Sequence, residues 1–585
     1  ASYHWTTQRT GSAQVEMFSS DQGADDLPLV NALREDLRKW RKSNYRNATP
    51  VTRELLKFWT DKNRMRRLFF CQVEAVETVI YLAEIVASNR RTGFDAKVTH
   101  AEYQKMIQGI RPELAETTVN EDFYPTLGDQ PADPSLAPLI RYGCKMATGS
   151  GKTVVMAMII TWAFCNRGRQ PADTRFPNKV LVMAPNLTVR ERLSILRPDN
   201  PAGNYYDEFD MVPTTLRPLM NQGRVAVLNW HKLGKESPHY EGGSTYQVVD
   251  KGEESPEAYA QRVLKDLSIN EGEPILVLND EAHHAYRPKV EDAKKADKKK
   301  EKDVEIEAVS KDDLNEATIW VDGLDRLNEA IGIQMVIDLS ATPFYLQGTG
   351  HIPGSPFPWL VSDFGLVDAI ESGITKIPRL PVSDTTGQPD PQFFRLWDHI
   401  KENVDPSEKV RGKPTPEAVW REANSALKIL ASQWKERFET HKNAKPGQEF
   451  IPPVMIVVCD NVNIAQYFFE QISGQVTEIE VETVKGKKKK TTHTSYNPSQ
   501  LFEELRNSKD QTVTLRIDSD LLNKAEADDG SSKQEEAERL RKQIANVGEK
   551  GTEGAQIRCV VSVQMLTEGW DANNVTQILG LRAFG

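Results

Sequence analysis

The chain has 585 residues, more than one hydrophobic core ordinarily organises, so about two to four domains are expected. An apolar share of 39% and a charged share of 27% are those of an ordinary folded protein and exclude a chain dominated by disorder. A net charge of −10 excludes a uniformly basic coat for nucleic acid, although a local groove can still grip a phosphate backbone.

Ala1–Arg9 lacks the apolar run of a secretory signal, and the absent initiator Met reads as processing or truncation at that end. Residues 1–67 read as an accessory helical segment, with a basic-aromatic run at Trp40–Arg46 and a helical stretch at Thr52–Trp59. From Leu68 to about Ser88 apolar residues recur at helical spacing. Residues 89–140 are irregular and Pro-containing, and read as an insert. Val154–Phe164 is too short to span a bilayer and reads as a buried helix, so no membrane partner is expected. Short apolar β-rich runs then alternate with helical segments: Val180–Ala184, Val225–Leu228, Ile275–Leu278 and Met335–Leu339. That alternation predicts a parallel sheet covered by helices on both faces, in a first α/β domain over 68–345.

After a connection at 346–395, a second set of runs follows at Val454–Cys459, Thr512–Ile517, Cys559–Val563 and Gln577–Leu579. It predicts a second α/β domain over 396–585. The charged runs Glu291–Asp303 (inside an insert at about 290–310), Lys485–Lys490 and Asn523–Lys542 read as solvated loops or exposed helices. Phosphate binding by the two lysine-rich ones is the alternative. Cys71, Cys144, Cys165, Cys459 and Cys559 form no CxxC pair, which argues against zinc or a disulfide framework and suits a reducing cytoplasm.

Met146–Thr153 reads MATGSGKT and opens a helix. Glycines there let backbone N–H groups approach phosphates, and the helix N-terminus favours an anion. Thr148, Gly149, Ser150 and Gly151 would cradle the phosphates, Lys152 would reach the outer ones, and the Thr153 hydroxyl would ligate Mg²⁺. Met146 stands where the general pattern has its first glycine, a position that closes the loop without touching phosphate. Further on, the apolar run Ile275–Leu278 ends in Asn279-Asp280-Glu281-Ala282-His283. A strand that delivers two adjacent carboxylates to the ligand edge of an α/β sheet suits ATP chemistry. Asp280 would hold the Mg²⁺ through water, and Glu281 would orient and deprotonate the attacking water.

These residues resemble the superfamily-2 helicases. Asp280–His283 is the DEAH form of their motif II, Ser340-Ala341-Thr342 matches motif III, and Ala184-Pro185-Asn186 resembles motif Ia. Leu228–Lys232 (LNWHK) resembles the next nucleic-acid motif, and Leu566–Val575 (LTEGWDANNV) resembles motif V. Phe364–Pro378, Leu515–Leu522 and the SATPFY wording narrow the resemblance to the Res subunit of type III restriction-modification enzymes and related restriction endonucleases. Arg67–Ala75 resembles the upstream glutamine motif, in which Gln72 would read adenine; a polar residue on a surface helix is the plainer alternative.

The resemblance implies two RecA-like parallel-sheet domains, the second incomplete before an arginine-bearing motif VI, and a nuclease domain only in a longer protein. It implies an ATP- and Mg²⁺-dependent translocase or helicase motor acting on nucleic acid, double-stranded DNA before RNA, with a modification (methyltransferase) subunit as a further partner. His283, Ser340 and Thr342 would couple the nucleotide to the nucleic-acid groove, unless the Ser and Thr merely satisfy a turn. Gly569 and Asp571 would face the nucleotide from the second domain. Pro185, Asn186, Trp230 and His231 would lie along the tracked strand, with a core role as the alternative for Trp230. A general DNA or RNA helicase without a nuclease stays open. Motifs Ia, III and V speak against a P-loop kinase or transporter ATPase, and intact Lys152, Asp280 and Glu281 speak against a scaffold with a dead site.

Overall fold

The computed structural model describes residues 4–6, 24–116, 123–234, 254–268, 273–289, 309, 311–377, 379, 395–410, 412–444, 450–484, 487–517, 542–544, 546–563 and 572–582. The chain divides between Ile377 and Pro378 into two compact units.

The first unit is built on a seven-stranded sheet of β1 (Gly128–Asp129), β2 (Leu139–Met146), β3 (Lys179–Ala184), β4 (Arg224–Asn229), β5 (Ile275–Asp280), β6 (Ile333–Ser340) and β7 (Leu360–Phe364). The order is β1–β2–β6–β5–β3–β4, with β7 pairing β2 alongside β1, and only the β1–β2 pair is antiparallel. β3 and β5 are buried at every position, as an apolar run covered on both faces must be. Their side chains alternate between two cores. Val180, Val182, Leu276 and Leu278 face the helix Lys152–Arg169, while Leu181, Met183 and Val277 join Tyr259, Trp320 and Leu324 on the other face. The helix Lys152–Arg169 is buried from Val154 through Asn166, the inner position expected of the Val154–Phe164 run.

The helices Pro28–Lys42 and Pro50–Trp59 do not stand apart as an accessory segment. Leu29, Leu33, Leu37 and Trp40 of the first, and Leu55, Leu56 and Trp59 of the second, form apolar stripes at helical spacing that enter the same core as Trp162 and Phe164. Residues 89–140 are likewise more ordered than an irregular insert. They contain the helix His100–Ile107 and strand β1, and Asp36 accepts hydrogen bonds from the Lys97 and Val98 amides at 2.8 Å each. The unit runs past residue 345 to Ile377 because β7 completes the sheet beside β2, inside the stretch read as a connection.

The second unit holds a four-stranded parallel sheet of β8 (Val454–Cys459), β9 (Thr514–Ile517), β10 (Cys559–Ser562) and β11 (Val575–Leu581), in the order β9–β10–β8–β11. Helices Pro416–Ala444 and Val462–Ser473 bring Leu427, Trp434, Phe438, Ile464 and Phe468 onto Met455, Val457 and Cys459. Lys487–Lys490 is not a loop: it begins the strand Lys487–Tyr496, paired antiparallel with Gln475–Val484. The threonine- and valine-rich stretches on either side favour an extended ribbon and carry the lysines into it. The runs Glu291–Asp303 and, apart from Lys542, Asn523–Lys542 lie outside the described residues. Among the described residues no helix is long and apolar enough to cross a membrane.

Candidate functional site

Because β2 through β7 run parallel, the turns that follow them gather at one edge of the sheet, where α/β proteins place their ligands. β2 ends at Met146, and Ala147–Gly151 turns the chain into the helix beginning at Lys152. Gly149 and Gly151 have φ of +83° and +89°, a region side chains rarely enter. The Ser150 hydroxyl donates to the Ala147 carbonyl at 2.6 Å, and the Ala147 amide donates to the Phe364 carbonyl of β7 at 2.9 Å. β7 thus anchors the start of the loop.

Gln72 lies against this loop and not on an exposed helix face: it is 4% exposed. Its Nε2 donates to the Ser150 carbonyl at 2.9 Å, and its Oε1 accepts from the Phe69 amide at 2.9 Å, capping the helix Phe70–Ile80. A Cβ on Gly151 would sit 2.2 Å from that Nε2, so the glycine also makes room for the glutamine.

β5 delivers Asp280 and Glu281 beside Lys152. The Lys152 ammonium pairs with Glu281 Oε1 at 2.7 Å. Asp280 is 3% exposed, and its Oδ1 is buried with no hydrogen-bond partner among the described residues. Burial, then the neighbouring Glu281 charge, pushes the Asp280 carboxyl up to about 6, with Lys152 and Arg192 pulling the other way. Glu281 has φ of +46°, a strained conformation for a residue with a side chain, and it marks the turn out of β5. An orphaned carboxylate oxygen beside the start of the helix that carries Lys152 and Thr153 fits a hydrated Mg²⁺ that takes most of its ligands from water and phosphate. Among the described residues no group of three or more His, Cys, Asp or Glu residues able to hold a metal is found.

From β6, the Ser340 hydroxyl lies 3.0 Å from His283 Nδ1 and accepts from the Thr342 amide at 3.0 Å. His283 Nδ1 is also 3.7 Å from Glu281 Oε2. These residues form one chain of contacts leading away from Lys152. On the far strands, Pro185 is buried and Asn186 caps the helix Leu187–Leu193 by accepting from the Val189 amide at 2.9 Å. Asn229 joins the two turns, donating to the Pro185 carbonyl at 3.1 Å and accepting from the His231 amide at 2.9 Å. Trp230 is neither free nor fully in the core: it is half-buried against the Leu233–Trp320 cluster and stacks on His231 with ring centroids 3.7 Å apart. Gly569 and Asp571 lie outside the described residues.

A layer behind the carboxylates was not anticipated from the motifs. Asp338 of β6 accepts from Asn279 Nδ2 at 2.8 Å and from Arg141 Nε at 2.8 Å. Trp320 Nε1 donates to Asn279 Oδ1 at 3.2 Å. Arg141, fully buried in β2, also donates to Asp129 at 2.9 Å and to the Ala285 carbonyl at 2.6 Å. Arg287 closes the group, bonding Asp129 at 2.7 Å and Asp325 at 2.6 Å. Asn279 precedes Asp280 and Ala285 follows the DEAH turn, so the network holds that turn from both ends. The available signal is a charge set among apolar neighbours in a strand, Arg141 in LIRYGCKM and Asp338 in IQMVIDLS.

Residues 139–344 match the family model described as type III restriction enzyme, res subunit. That stretch, from the first residue of β2 to just beyond Thr342, is therefore a superfamily-2 helicase-like ATPase domain of the restriction-enzyme type. It contains the glycine loop, the DEAH turn and the Ser340–Thr342 turn. The comparison with curated proteins gives no match.

Proposed function

We propose that this protein is an ATP-driven motor that moves on double-stranded DNA, of the kind that serves a restriction endonuclease. The carrying observation is the Lys152–Glu281 pair beside the partnerless Asp280 oxygen at the mouth of the glycine loop. With nucleotide bound, the phosphates attract Lys152, which frees Glu281 to hold the attacking water and take its proton. Thr153 and Asp280 would hold Mg²⁺, which supplies charge neutralisation on the phosphates. His283, sharing hydrogen-bond reach with Ser340 and Glu281, would pass the change at the carboxylates to the β6 turn. Pro185, Asn186, Trp230 and His231, joined through Asn229 at the same sheet edge, would touch the strand being tracked.

Gln72 would set the shape of the glycine loop as well as meet the base. Gly569 and Asp571 are proposed as nucleotide contacts of the second domain, and a methyltransferase subunit as a partner. The five cysteines are buried and unpaired, as a reducing cytoplasm would keep them.

Glu281→Gln keeps the shape and loses the base, so Mg·ATP binding should persist while DNA-stimulated turnover falls by about 10²–10⁴. Hydrolysis at the parent rate would overturn this assignment. Displacement of the third strand of a triplex without separation of a forked duplex is the expected signature of translocation. Strand separation would favour a general helicase instead.

A further inference from the structure

A second cluster of cations lies away from the nucleotide edge. Arg46 comes from the loop between helices Pro28–Lys42 and Pro50–Trp59, Arg53 from the start of the second helix, and Arg90 and Arg91 from the chain just past the helical turn Tyr81–Val86. The four arginines, with Asn44 and Asn47, line one open recess that no carboxylate among the described residues lines. Among the described residues none of the four makes an ion pair. The nearby Glu84 is buried and takes its hydrogen bonds from the Thr49 amide, the Thr52 hydroxyl and the Trp162 indole instead.

Three stretches of chain converge here against the mutual repulsion of four guanidinium groups. The loop is held in that shape. Asn44, Tyr45 and Asn47 all have positive φ, from +55° to +65°, without a glycine among them. Trp40 Nε1 donates to the Arg46 carbonyl at 3.0 Å, Tyr45 donates to Glu77 at 2.7 Å, and Arg90 donates to the Asn47 carbonyl at 2.7 Å. Arg53 stands near the N-terminus of its helix, where the dipole disfavours a cation and favours an anion. Its Nε is enclosed from solvent and has no hydrogen-bond partner among the described residues. Planar forks gathered around one recess match an anion with several acceptor oxygens better than a single carboxylate.

We propose that this recess is a second phosphate-binding site, separate from the glycine loop. Thr49, next in sequence to the lining residue Ala48, hydrogen-bonds Asn166, and the stretch of helix from Asn166 back to Lys152 at the glycine loop is about 21 Å long. The source of the phosphate is the DNA backbone, a reading that rests on the proposed motor activity; free phosphate is the other source of the same chemistry.

The test compares the full chain with the Arg46→Ala/Arg91→Ala double variant, both of whose side chains are exposed, and with Arg53→Gln. Two probes are used: inorganic phosphate, read by thermal shift, and a labelled 40-base-pair duplex, read by anisotropy across a salt series. Phosphate should raise the melting temperature of the parent by more than that of either variant, in which only the glycine loop is left to bind it. DNA affinity should fall about tenfold in the double variant, with the log–log salt slope smaller by about two, one for each lost phosphate contact. A lost phosphate shift with unchanged DNA affinity would support the site and assign it to a free phosphate. Equal phosphate shifts and equal DNA affinities in parent and variants would overturn the proposal. A parent that binds no DNA at all would sink the motor reading while leaving the phosphate arm decisive.

Discussion

Arg141→Met removes the cation behind the DEAH turn and keeps most of its volume. Three hydrogen bonds go with it, to Asp338 at 2.8 Å, Asp129 at 2.9 Å and the Ala285 carbonyl at 2.6 Å. The two carboxylates suffer unequally. Asp129 keeps Arg287 at 2.7 Å, whereas Asp338, 3% exposed, keeps only the neutral Asn279 amide. One buried carboxylate therefore loses its counter-charge, a loss worth about 3–5 kcal/mol. Adding Asp338→Asn removes the orphaned charge and should recover about 2 kcal/mol, a coupling of the size expected between contacting groups. Urea unfolding of the first unit, followed by tryptophan fluorescence, reads both numbers. Trp359 is a local reporter, since the Arg141 guanidinium lies 4.1 Å from its ring. ATP turnover should fall before the unit unfolds, because Asn279 and Ala285 bracket the DEAH turn proposed to carry it. A cost below about 1 kcal/mol for Arg141→Met, or no recovery in the double variant, would refute the reasoning.

Two further outcomes follow from the same site. The Asp280 carboxyl, pushed up to about 6 from an ordinary 3.8 by burial and by Glu281, contributes stability that is full below about 3.8 and is lost as pH rises through 6. The nucleotide-free protein should therefore melt lower at pH 7 than at pH 5, while Mg·ATP binds more tightly over the same rise as the carboxylate ionises; Asp280→Asn should flatten both trends, and an unflattened melting profile would count against the assignment. Gln72→Ala loses the bond to the Ser150 carbonyl and the cap on Phe69, each worth about 1 kcal/mol, so the Kd for ATP should rise about tenfold. A change of less than about twofold in an ATP titration would remove Gln72 from the loop's support.

Much of the fold and site was readable along the chain. Val180–Ala184, Ile275–Leu278 and Met335–Leu339 are strands because a strand buried on both faces needs an unbroken apolar run, and such a run is contiguous in sequence. The glycine loop and the Asp280-Glu281 pair stand out along the chain for a similar reason, since each is contiguous in sequence. Composition misled at Lys487–Lys490, where pairing across a ribbon outweighs the solvation of a lysine run.

What the sequence determined by itself, then, is the run of buried strands and the residue types at their ends: apolar period, turn glycines and charge type are properties of neighbours along the chain. The tertiary structure alone decided which elements meet. Arg141 and Asp338 are 197 residues apart in sequence yet share a buried bond. The helices Pro28–Lys42 and Pro50–Trp59 join the ATPase core, β7 anchors the glycine loop through Phe364, and four arginines from three stretches form one recess. An amphipathic stripe or a lone buried charge shows that a partner is needed. Its identity follows only when burial, pairing and repulsion are satisfied together across the whole unit.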